Sequence, residues 1–265
     1  MDYFALISAF FYVIAGALAT TQLFPSHKAN TRWFFMAITP ALLSHAIWLY
    51  QHIIVLAGQN LPILNVLALV AFIISLLSTF ANQRINTGVL LPAVYGFTVL
   101  TFIEVIYLPS NYITHLETHP QVAMHIIFAL LAYSILSIAS LLALQLAYLD
   151  YRLKKRKNPL TKMKMPPLMT LEKSLFQFIL IGFILLSCTL LTGFIFLQDM
   201  FVQGKAHQAI LSIIAWIIYG VLLWGHFSRG WRGRLIIYIT IIGSSLLTLA
   251  YFGSRFVREI LLIQQ

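Results

Sequence analysis

Charged residues are scarce in this sequence. Only 9% of its 265 residues are Asp, Glu, Lys or Arg, whereas 60% are hydrophobic. A soluble domain of this length draws about a quarter of its residues from those four types, so too few charges are present to cover a water-exposed surface. The composition therefore excludes an ordinary soluble protein and predicts that lipid is the main solvent.

Acidic residues are scarcer than basic residues. Seven Asp and Glu stand against seventeen Lys and Arg, which gives a formal net charge of +10. A nucleic-acid binder would also be basic, but here apolar runs too long for a soluble fold separate the basic residues. Positive loops on an anionic inner leaflet explain the charge better. We therefore expect membrane lipids, and no nucleic acid, as partners.

Cysteine and the common cofactor motifs are nearly absent as well. Cys188 is the one cysteine and lies inside an apolar run, so the chain has no disulfide framework, no CxxC redox pair and no CxxCH haem-attachment site. It also lacks a glycine-rich phosphate loop, zinc-finger spacing and an HExxH motif. Neither thiol chemistry nor a hydrolase or transferase reaction is predicted.

Long apolar runs fill most of the chain. Uncharged windows of about 20 residues predict an all-α polytopic membrane protein with eight transmembrane helices: 3–24, 34–56, 62–81, 88–107, 121–148, 174–197, 207–227 and 235–254. The first run has Asp2 at its start where a cleaved signal would have a basic region, so we expect it to be retained. Residues 1–265 are predicted to form a single integral membrane domain.

Basic residues alternate between the connections. The first, third, fifth and seventh carry nearly all of them, whereas the second, around Gly58, has none and the fourth has Glu117 without Lys or Arg. By the positive-inside rule, the basic connections are cytoplasmic and the N and C termini lie outside. The stretch 150–173 holds a basic block and the pair Pro166-Pro167, which interrupts helix formation, and is predicted to be a cytoplasmic loop.

Histidine is the ionisable residue type that occurs deep within the apolar runs. Glu104 lies near the outer end of the fourth run and no Asp or Glu falls at mid-depth, which counts against proton- or cation-coupled transport. His45 falls near the middle of the second run, where a neutral imidazole needs partners for both nitrogens. A partner for a nitrogen could come from a hydrogen bond to a neighbouring helix or from ligation of a metal.

Aromatic residues of the seventh run form one helical seam. Spacings of three and four align Ser212, Trp216, Tyr219, Leu223 and His226, and His226 ends the seam at the inner surface. Such a stripe is typical of helix packing, and Trp and Tyr also belong to the interfacial belt. Trp216 lies too deep for the belt.

Further histidines are expected at the outer surface. His125 opens the fifth run, with Ala129 and Ala132 on the same side, and small residues of this kind permit close helix packing. His207, at the start of the seventh run, should lie at similar depth. Histidines at two depths, an aromatic interior and few carboxylates suit a large flat cofactor held by imidazole, for which haem is the first candidate.

Two arginines stand in the layer where haem propionates would need cations. Arg255 and Arg258 lie at the outer end of the eighth run and could bind carboxylates through the guanidinium group. Interfacial arginines that snorkel to the lipid headgroups would look the same in sequence.

Particular stretches carry a family resemblance: 211–219 (LSIIAWIIY), 224–226 (WGH), 230–234 (GWRGR) and 249–253 (LAYFG). With them the chain resembles the CcsA/CcmC/CcmF superfamily of haem-handling, cytochrome c assembly proteins. Two more stretches, 111–117 (NYITHLE) and 165–169 (MPPLM), are similar to the YpjD branch of that superfamily. The resemblance covers essentially the whole chain and implies a multi-pass protein of the bacterial inner membrane.

The resemblance also implies roles for individual residues. His125 matches the outer histidine that serves CcsA-type proteins as an external haem ligand, and His226 matches a transmembrane ligand. Trp216, Tyr219 and Trp224, in the same stretch as His226, would border the haem.

His45 would be a second intramembrane ligand, although no motif supports that role. At 1.5 Å per residue it lies about 16 Å from the inner boundary, whereas His226 lies only a few Å from it. The two share an iron only if a kink at Pro40 or a shift of the span ends closes that gap.

The chain departs from the CcsA pattern on the outer side. The external tryptophan-rich segment corresponds to residues 197–205, which contain no tryptophan, and Ser254-Arg255-Phe256 replaces the second external histidine. A complete outer bis-histidine site would therefore need His207. Attachment of haem to an apocytochrome is not implied, and a haem-lyase-like role follows at most by analogy.

Three functions stay open. The first is a haem-handling protein that accepts, holds or passes haem, with other membrane or periplasmic cytochrome assembly proteins as partners. The second is a transporter, or an accessory to divalent-metal efflux (cobalt or magnesium), with His45, His125 and His226 as metal ligands. The scarcity of oxygen ligands counts against magnesium. The third is a membrane haem redox protein that takes electrons from quinol.

Overall fold

The computed structural model describes residues 3–23, 31–85, 89–107, 112–154, 167–196, 206–253 and 255. The predicted all-α fold is confirmed. Its helices are α1 (Tyr3–Gln22), α2 (Thr31–Ile53), α3 (Ile63–Ile85), α4 (Leu91–Tyr107), α5 (Pro120–Lys154), α6 (Leu168–Phe196), α7 (Ala206–Arg229) and α8 (Arg234–Thr248), which continues as a π-helical turn, Leu249–Gly253. Each predicted span overlaps one of these helices.

Length separates one helix from the others. Among the described residues, seven helices are long and apolar enough to cross a membrane, and α4 is a shorter apolar helix of 17 residues. The chain is thus a polytopic helical membrane protein. Eight crossings and outer termini remain predictions.

Two helices extend furthest beyond the apolar runs that predicted them. α5 continues to Lys154 because Lys154 Nζ pairs with Asp150 one turn earlier at 2.8 Å. The Arg152 guanidinium also stacks 5.4 Å from the Tyr148 ring. α6 begins at Leu168, directly after the proline pair. An apolar run ends at the first charged residues. A helix whose charged side chains pair with each other can continue past that point.

A small antiparallel sheet was not predicted. It consists of β1 (Ile54–Val55), β2 (Gly58–Asn60) and β3 (Ile113–Thr114). Its centre pairs Gln59 with both Ile54 and Thr114. Gly58 has φ 128°, which a residue with a side chain rarely adopts. The sheet joins the second and fourth connections at one end of the helices, as expected if both are outside.

The helices fall into two compact units. One comprises residues 1–114 with 148–171, and the other comprises 115–147 with 172–265. Small residues such as Ala5, Ala15 and Ala19 of α1 are fully buried in the first unit, where they allow close packing of α1 on α2 and α4. The single domain predicted from the sequence remains a prediction.

Candidate functional site

His125 is oriented by a hydroxyl group of α6. Its Nδ1 lies 3.2 Å from Thr192 Oγ1, which in turn lies 2.8 Å from the Cys188 carbonyl and 3.0 Å from the Thr189 carbonyl. Because Thr192 has one hydroxyl proton and directs it to these carbonyls, its oxygen accepts a hydrogen bond from His125 Nδ1. Nδ1 is then protonated and Nε2 has the lone pair, as in many metal-binding imidazoles.

Aromatic side chains of α5 and α8 meet in the same unit as His125. The Tyr133 hydroxyl lies 3.1 Å from Thr248 Oγ1, and its ring contacts Tyr251 at 6.2 Å and Phe252 at 5.4 Å. Both partners belong to the π-helical turn of α8, a rare geometry that is frequent at functional sites. The Arg255 guanidinium lies 5.9 Å from the Tyr251 ring. Arg258 lies outside the described residues.

His226 is oriented by a backbone carbonyl. Its Nδ1 lies 3.2 Å from the Trp231 oxygen, and a carbonyl can only accept, so Nδ1 carries the proton and Nε2 the lone pair. The imidazole stacks on Phe176 of α6, with centroids 3.4 Å apart and planes 15° from parallel. The ring is therefore held both at its edge and on one face.

A tight corner after α7 presents the Trp231 carbonyl to His226. Gly230 has φ 65°, and its N–H donates to the His226 carbonyl at 3.1 Å, which is an αL termination. The Trp231 N–H donates to the Gly225 carbonyl at 3.1 Å. The sequence analysis did not assign this supporting role to Trp231, and the two glycines around His226 were the signal that indicated it.

His125 and His226 lie at opposite ends of α6. Their partners on that helix, Thr192 and Phe176, are 16 positions apart, which corresponds to about 24 Å along the axis. These two imidazoles are therefore too far apart to ligate the same iron.

The predicted aromatic seam packs against two different helices. The Trp216 indole donates from Nε1 to Ser187 Oγ of α6 at 2.8 Å and stacks on Phe183. Tyr219 is fully buried, and its hydroxyl donates to the Thr240 carbonyl of α8 at 3.4 Å. Trp216 and Tyr219 thus join α7 to its neighbours.

Trp224 lies apart from the seam. Its side chain is 52% exposed, and the Arg229 guanidinium lies 4.6 Å from its ring. Two residues along a helix are rotated by about 200°, so Trp224 and His226 point to opposite sides of α7.

His45 is enclosed in the first unit. It is fully buried, with Nδ1 3.2 Å from the Tyr12 hydroxyl and ring contacts to Phe72 at 5.1 Å and Phe102 at 4.6 Å. The sequence allowed either a hydrogen bond to a neighbouring helix or metal ligation at His45. The structure shows such a hydrogen bond, from α1, for Nδ1.

The remaining candidates are more exposed or fall outside the description. His207 lies exposed in the first turn of α7. Residues 197–205, which correspond to the tryptophan-rich segment of CcsA-type proteins but contain no tryptophan, lie outside the described residues. Within the described part of the chain, no group of three or more His, Cys, Asp or Glu is arranged to hold a metal ion.

Comparison with known proteins identifies the family. The model of the cytochrome C assembly protein family matches residues 33–262. Inner membrane protein YpjD of Escherichia coli K12 is 40% identical over 263 residues, 98% of this chain and 100% of the relative, and YpjD of strain O157:H7 shows the same values.

A more distant relative covers part of the chain. An Azospirillum brasilense protein, named only as an uncharacterized 28.8 kDa protein in the nifR3-like 5′ region, is 30% identical over 142 residues, 52% of each chain. No solved structure matches.

The chain belongs to the cytochrome c assembly protein family. The resemblance seen in the sequence, including that to the YpjD branch, is confirmed, and the protein is a multi-pass protein of the inner membrane.

Proposed function

We propose that this protein binds haem through His125 and His226 at two separate sites of the second unit, and that it holds or passes haem during cytochrome assembly. One observation carries the proposal: each Nδ1 donates to an oxygen, Thr192 Oγ1 or the Trp231 carbonyl, at 3.2 Å. Both Nε2 atoms are thereby left as acceptors with fixed ring orientation. This is the arrangement that supports a metal-ligating histidine from outside the coordination sphere.

The surroundings of His226 fit a haem group. Haem needs an axial nitrogen, apolar surfaces against its faces and cations for its propionates. The Phe176 and Phe227 rings contact the imidazole, with centroids 3.4 Å and 5.2 Å from it. Arg232 Nε lies 3.7 Å from Glu172 Oε1, and the arginine side chain is 68% exposed. The arginine end of this long ion pair is exposed, which leaves Arg232 available for exchange with a propionate.

The compact unit that contains His125 also has the other two kinds of group. The imidazole is half-buried, the unit contributes the rings of Tyr251 and Phe252, and Arg255 lies beside Tyr251. When bound, haem supplies the iron that the imidazole nitrogen ligates. The protein's own residues would orient that nitrogen.

The two sites suit a carrier better than an enzyme. About 24 Å of α6 separates their partners, so a haem held at one end is distinct from a haem held at the other. We propose other membrane or periplasmic cytochrome assembly proteins as donor and recipient. A catalysed attachment of haem is not part of the proposal, because residues 197–205 lack the tryptophans of CcsA-type proteins.

Haem stoichiometry tests the proposal. The full chain is purified in a mild detergent, its Soret absorbance is recorded, and the ratio of haem to protein is compared among wild type, His125→Ala, His226→Ala and the double variant. We expect each single variant to lose one of two haem populations and the double variant to lose both. His115→Ala is the matched control, because His115 lies exposed in the connection before α5.

Other outcomes would favour the other functions. A double variant with wild-type haem content would show that the ligand assignment is wrong. Stoichiometric cobalt or nickel without a Soret band would favour the metal-efflux function. Reduction of bound haem by an added quinol, seen in a reduced-minus-oxidised spectrum, would favour the redox function.

A further inference from the structure

The lipid-facing side of α7 ends in an exposed tryptophan. Spacings of seven, four and three residues place large apolar side chains on one face of this membrane-spanning helix, each about half exposed: Ile210, Ile217, Val221 and Trp224. Trp224 is the last of them and lies five residues before the helix ends at Arg229. Tryptophan is enriched where acyl chains meet the lipid headgroups, so this end of the face lies in the headgroup layer.

Arg229 lies over that tryptophan. Its guanidinium carbon is 4.6 Å from the centre of the Trp224 ring, which is a cation–π distance. Stacking occupies one face of the planar guanidinium, whereas its N–H donors point outward in the plane. Within the described part of the chain, Arg229 makes no hydrogen bond or ion pair. The ring therefore fixes the position of the guanidinium and leaves its donors for a ligand.

Two further arginines follow Arg229 closely. Arg232 and Arg234 are both exposed, and residues 229–234 contain no Asp or Glu. Glu172 of α6, with its Oε1 3.7 Å from Arg232 Nε, offsets part of this charge. Positive charge is thus concentrated where the phosphates of a bilayer lie.

A phospholipid phosphate has the complementary chemistry. A guanidinium group binds phosphate oxygens through pairs of N–H donors, and the acyl chains of the same molecule would lie along Val221 and Ile217. Phosphatidylglycerol is favoured over a zwitterionic lipid because its net negative charge is attracted to the arginines. A free phosphate ion would satisfy Arg229 but would leave the apolar face without a partner.

We propose that Arg229, held over Trp224, binds the phosphate of an anionic phospholipid whose acyl chains pack along the exposed face of α7. Arg229 binds the ligand, and Trp224 is a positioning residue. Trp224 and His226 point to opposite sides of α7, so the lipid site is separate from His226 and the proposal does not depend on haem binding.

Native mass spectrometry of the full chain tests the site. Protein freed of lipid in a mild detergent is titrated with phosphatidylglycerol or with phosphatidylcholine of the same acyl chains. We expect the first phosphatidylglycerol to bind more tightly. Arg229→Gln should weaken its binding about fivefold, the contribution of one arginine near an anionic membrane, and leave phosphatidylcholine unchanged. Equal affinity of the wild type for both lipids would overturn the proposal and favour an acidic protein segment as the partner.

Arg84→Gln is the matched control for charge. Arg84 is exposed in the last turn of α3 and makes no ring contact within the described residues. Its replacement removes one positive charge, as Arg229→Gln does, but should retain the wild-type preference for phosphatidylglycerol. An equal loss in both variants would show that total charge is responsible, which would contradict a site at Arg229.

Replacement of the ring gives a second measurement. Trp224→Leu keeps every charge and should still weaken phosphatidylglycerol binding, whereas Trp33→Leu, at an exposed position of α2, should not. Unchanged binding in Trp224→Leu would contradict the positioning role. Both side chains are exposed, so these variants should unfold at the wild-type temperature in lipid-free detergent.

Inorganic phosphate distinguishes a lipid site from a simple anion site. Millimolar phosphate should not displace the bound phosphatidylglycerol, because the ion has no acyl chains to pack on α7. Displacement at that concentration would show that the arginine binds any phosphate, and would overturn the lipid assignment.

Discussion

The Trp231 indole occupies the space beside the Gly225 backbone: a Cβ atom added to Gly225 would lie 2.2 Å from Trp231 Cε3. The same corner places the Trp231 carbonyl oxygen 3.2 Å from Nδ1 of His226. The absence of a side chain at Gly225 is therefore part of what orients the proposed ligand at this end of α6.

Gly225→Ala should disrupt this corner. The new methyl group would force the Trp231 ring to move, at a cost of about 1–3 kcal/mol as in other overpacked sites. We expect a lower apparent unfolding temperature in detergent and loss of the haem population assigned to His226, with the His125 population retained.

Gly96→Ala is the control for that substitution. Nothing lies within 4 Å of the position that its Cβ would occupy, so the variant should unfold at the wild-type temperature or slightly above it. Equal stability of Gly225→Ala and Gly96→Ala would show that the corner tolerates a side chain.

Thr192→Val should weaken haem binding at His125 without unfolding the protein. Valine keeps the shape of threonine but removes the oxygen that accepts from His125 Nδ1. Loss of such an outer partner typically lowers metal affinity 10–100-fold, and we expect that order of loss in a haem titration of the His226→Ala background.

Two variants make the comparison specific to the hydroxyl group. Thr192→Ser retains the oxygen and should bind haem as wild type does. Thr189→Val removes a neighbouring hydroxyl that donates to the Leu185 carbonyl at 2.9 Å, and should also bind normally. A Thr189→Val defect as large as that of Thr192→Val would mean that α6 packing, and not His125 orientation, is responsible.

Gly243→Ala should separate α7 from α8. A Cβ at this position would lie 2.8 Å from Tyr219 Cζ, and the Tyr219 ring is fully buried. We expect destabilisation of about 1–3 kcal/mol, measured as a lower unfolding temperature. Tyr219→Leu should relieve most of it, so the two changes together should cost less than their sum. Gly16→Ala, whose neighbours are at 3.9 Å, should be neutral.

Ser187→Ala should leave the Trp216 indole without its acceptor. The hydrogen bond of 2.8 Å from Nε1 to Ser187 Oγ lies within a membrane-spanning part of the unit, where an unpaired N–H costs about 1–3 kcal/mol. Ser187→Ala combined with Trp216→Phe removes donor and acceptor together and should recover much of the lost stability. Additive losses in a double-mutant cycle would contradict the pairing.

Orientation in the membrane can be tested by cysteine labelling. In a Cys188→Ser background, Glu117→Cys should react with a membrane-impermeant maleimide in intact cells, because the fourth connection is predicted to be outside. Lys154→Cys should react only after permeabilisation. Both positions are exposed, so accessibility within the fold does not confound the result. The opposite labelling pattern would show that the predicted topology is inverted.

Helix positions were largely predictable because hydrophobic runs reflect the thickness of a bilayer. The seventh run, 207–227, corresponds to α7 at Ala206–Arg229. The end of α5 was not predictable, since hydropathy does not register an ion pair such as Lys154 with Asp150. The β-sheet escaped prediction because Gln59 and Thr114 pair across 55 positions of sequence, and no local pattern encodes that contact.

The candidate ligands show the same division. The sequence alone determined that this chain is a membrane protein, because so few charged residues cannot cover a water-exposed surface. It also identified His125, His226 and His45 as unusual residues within apolar runs. Only the tertiary structure decided how they differ. Contacts from other segments of the chain place an oxygen acceptor at Nδ1 of His125 and of His226, which leaves Nε2 of each ring with the lone pair, whereas His45 is buried among aromatic rings.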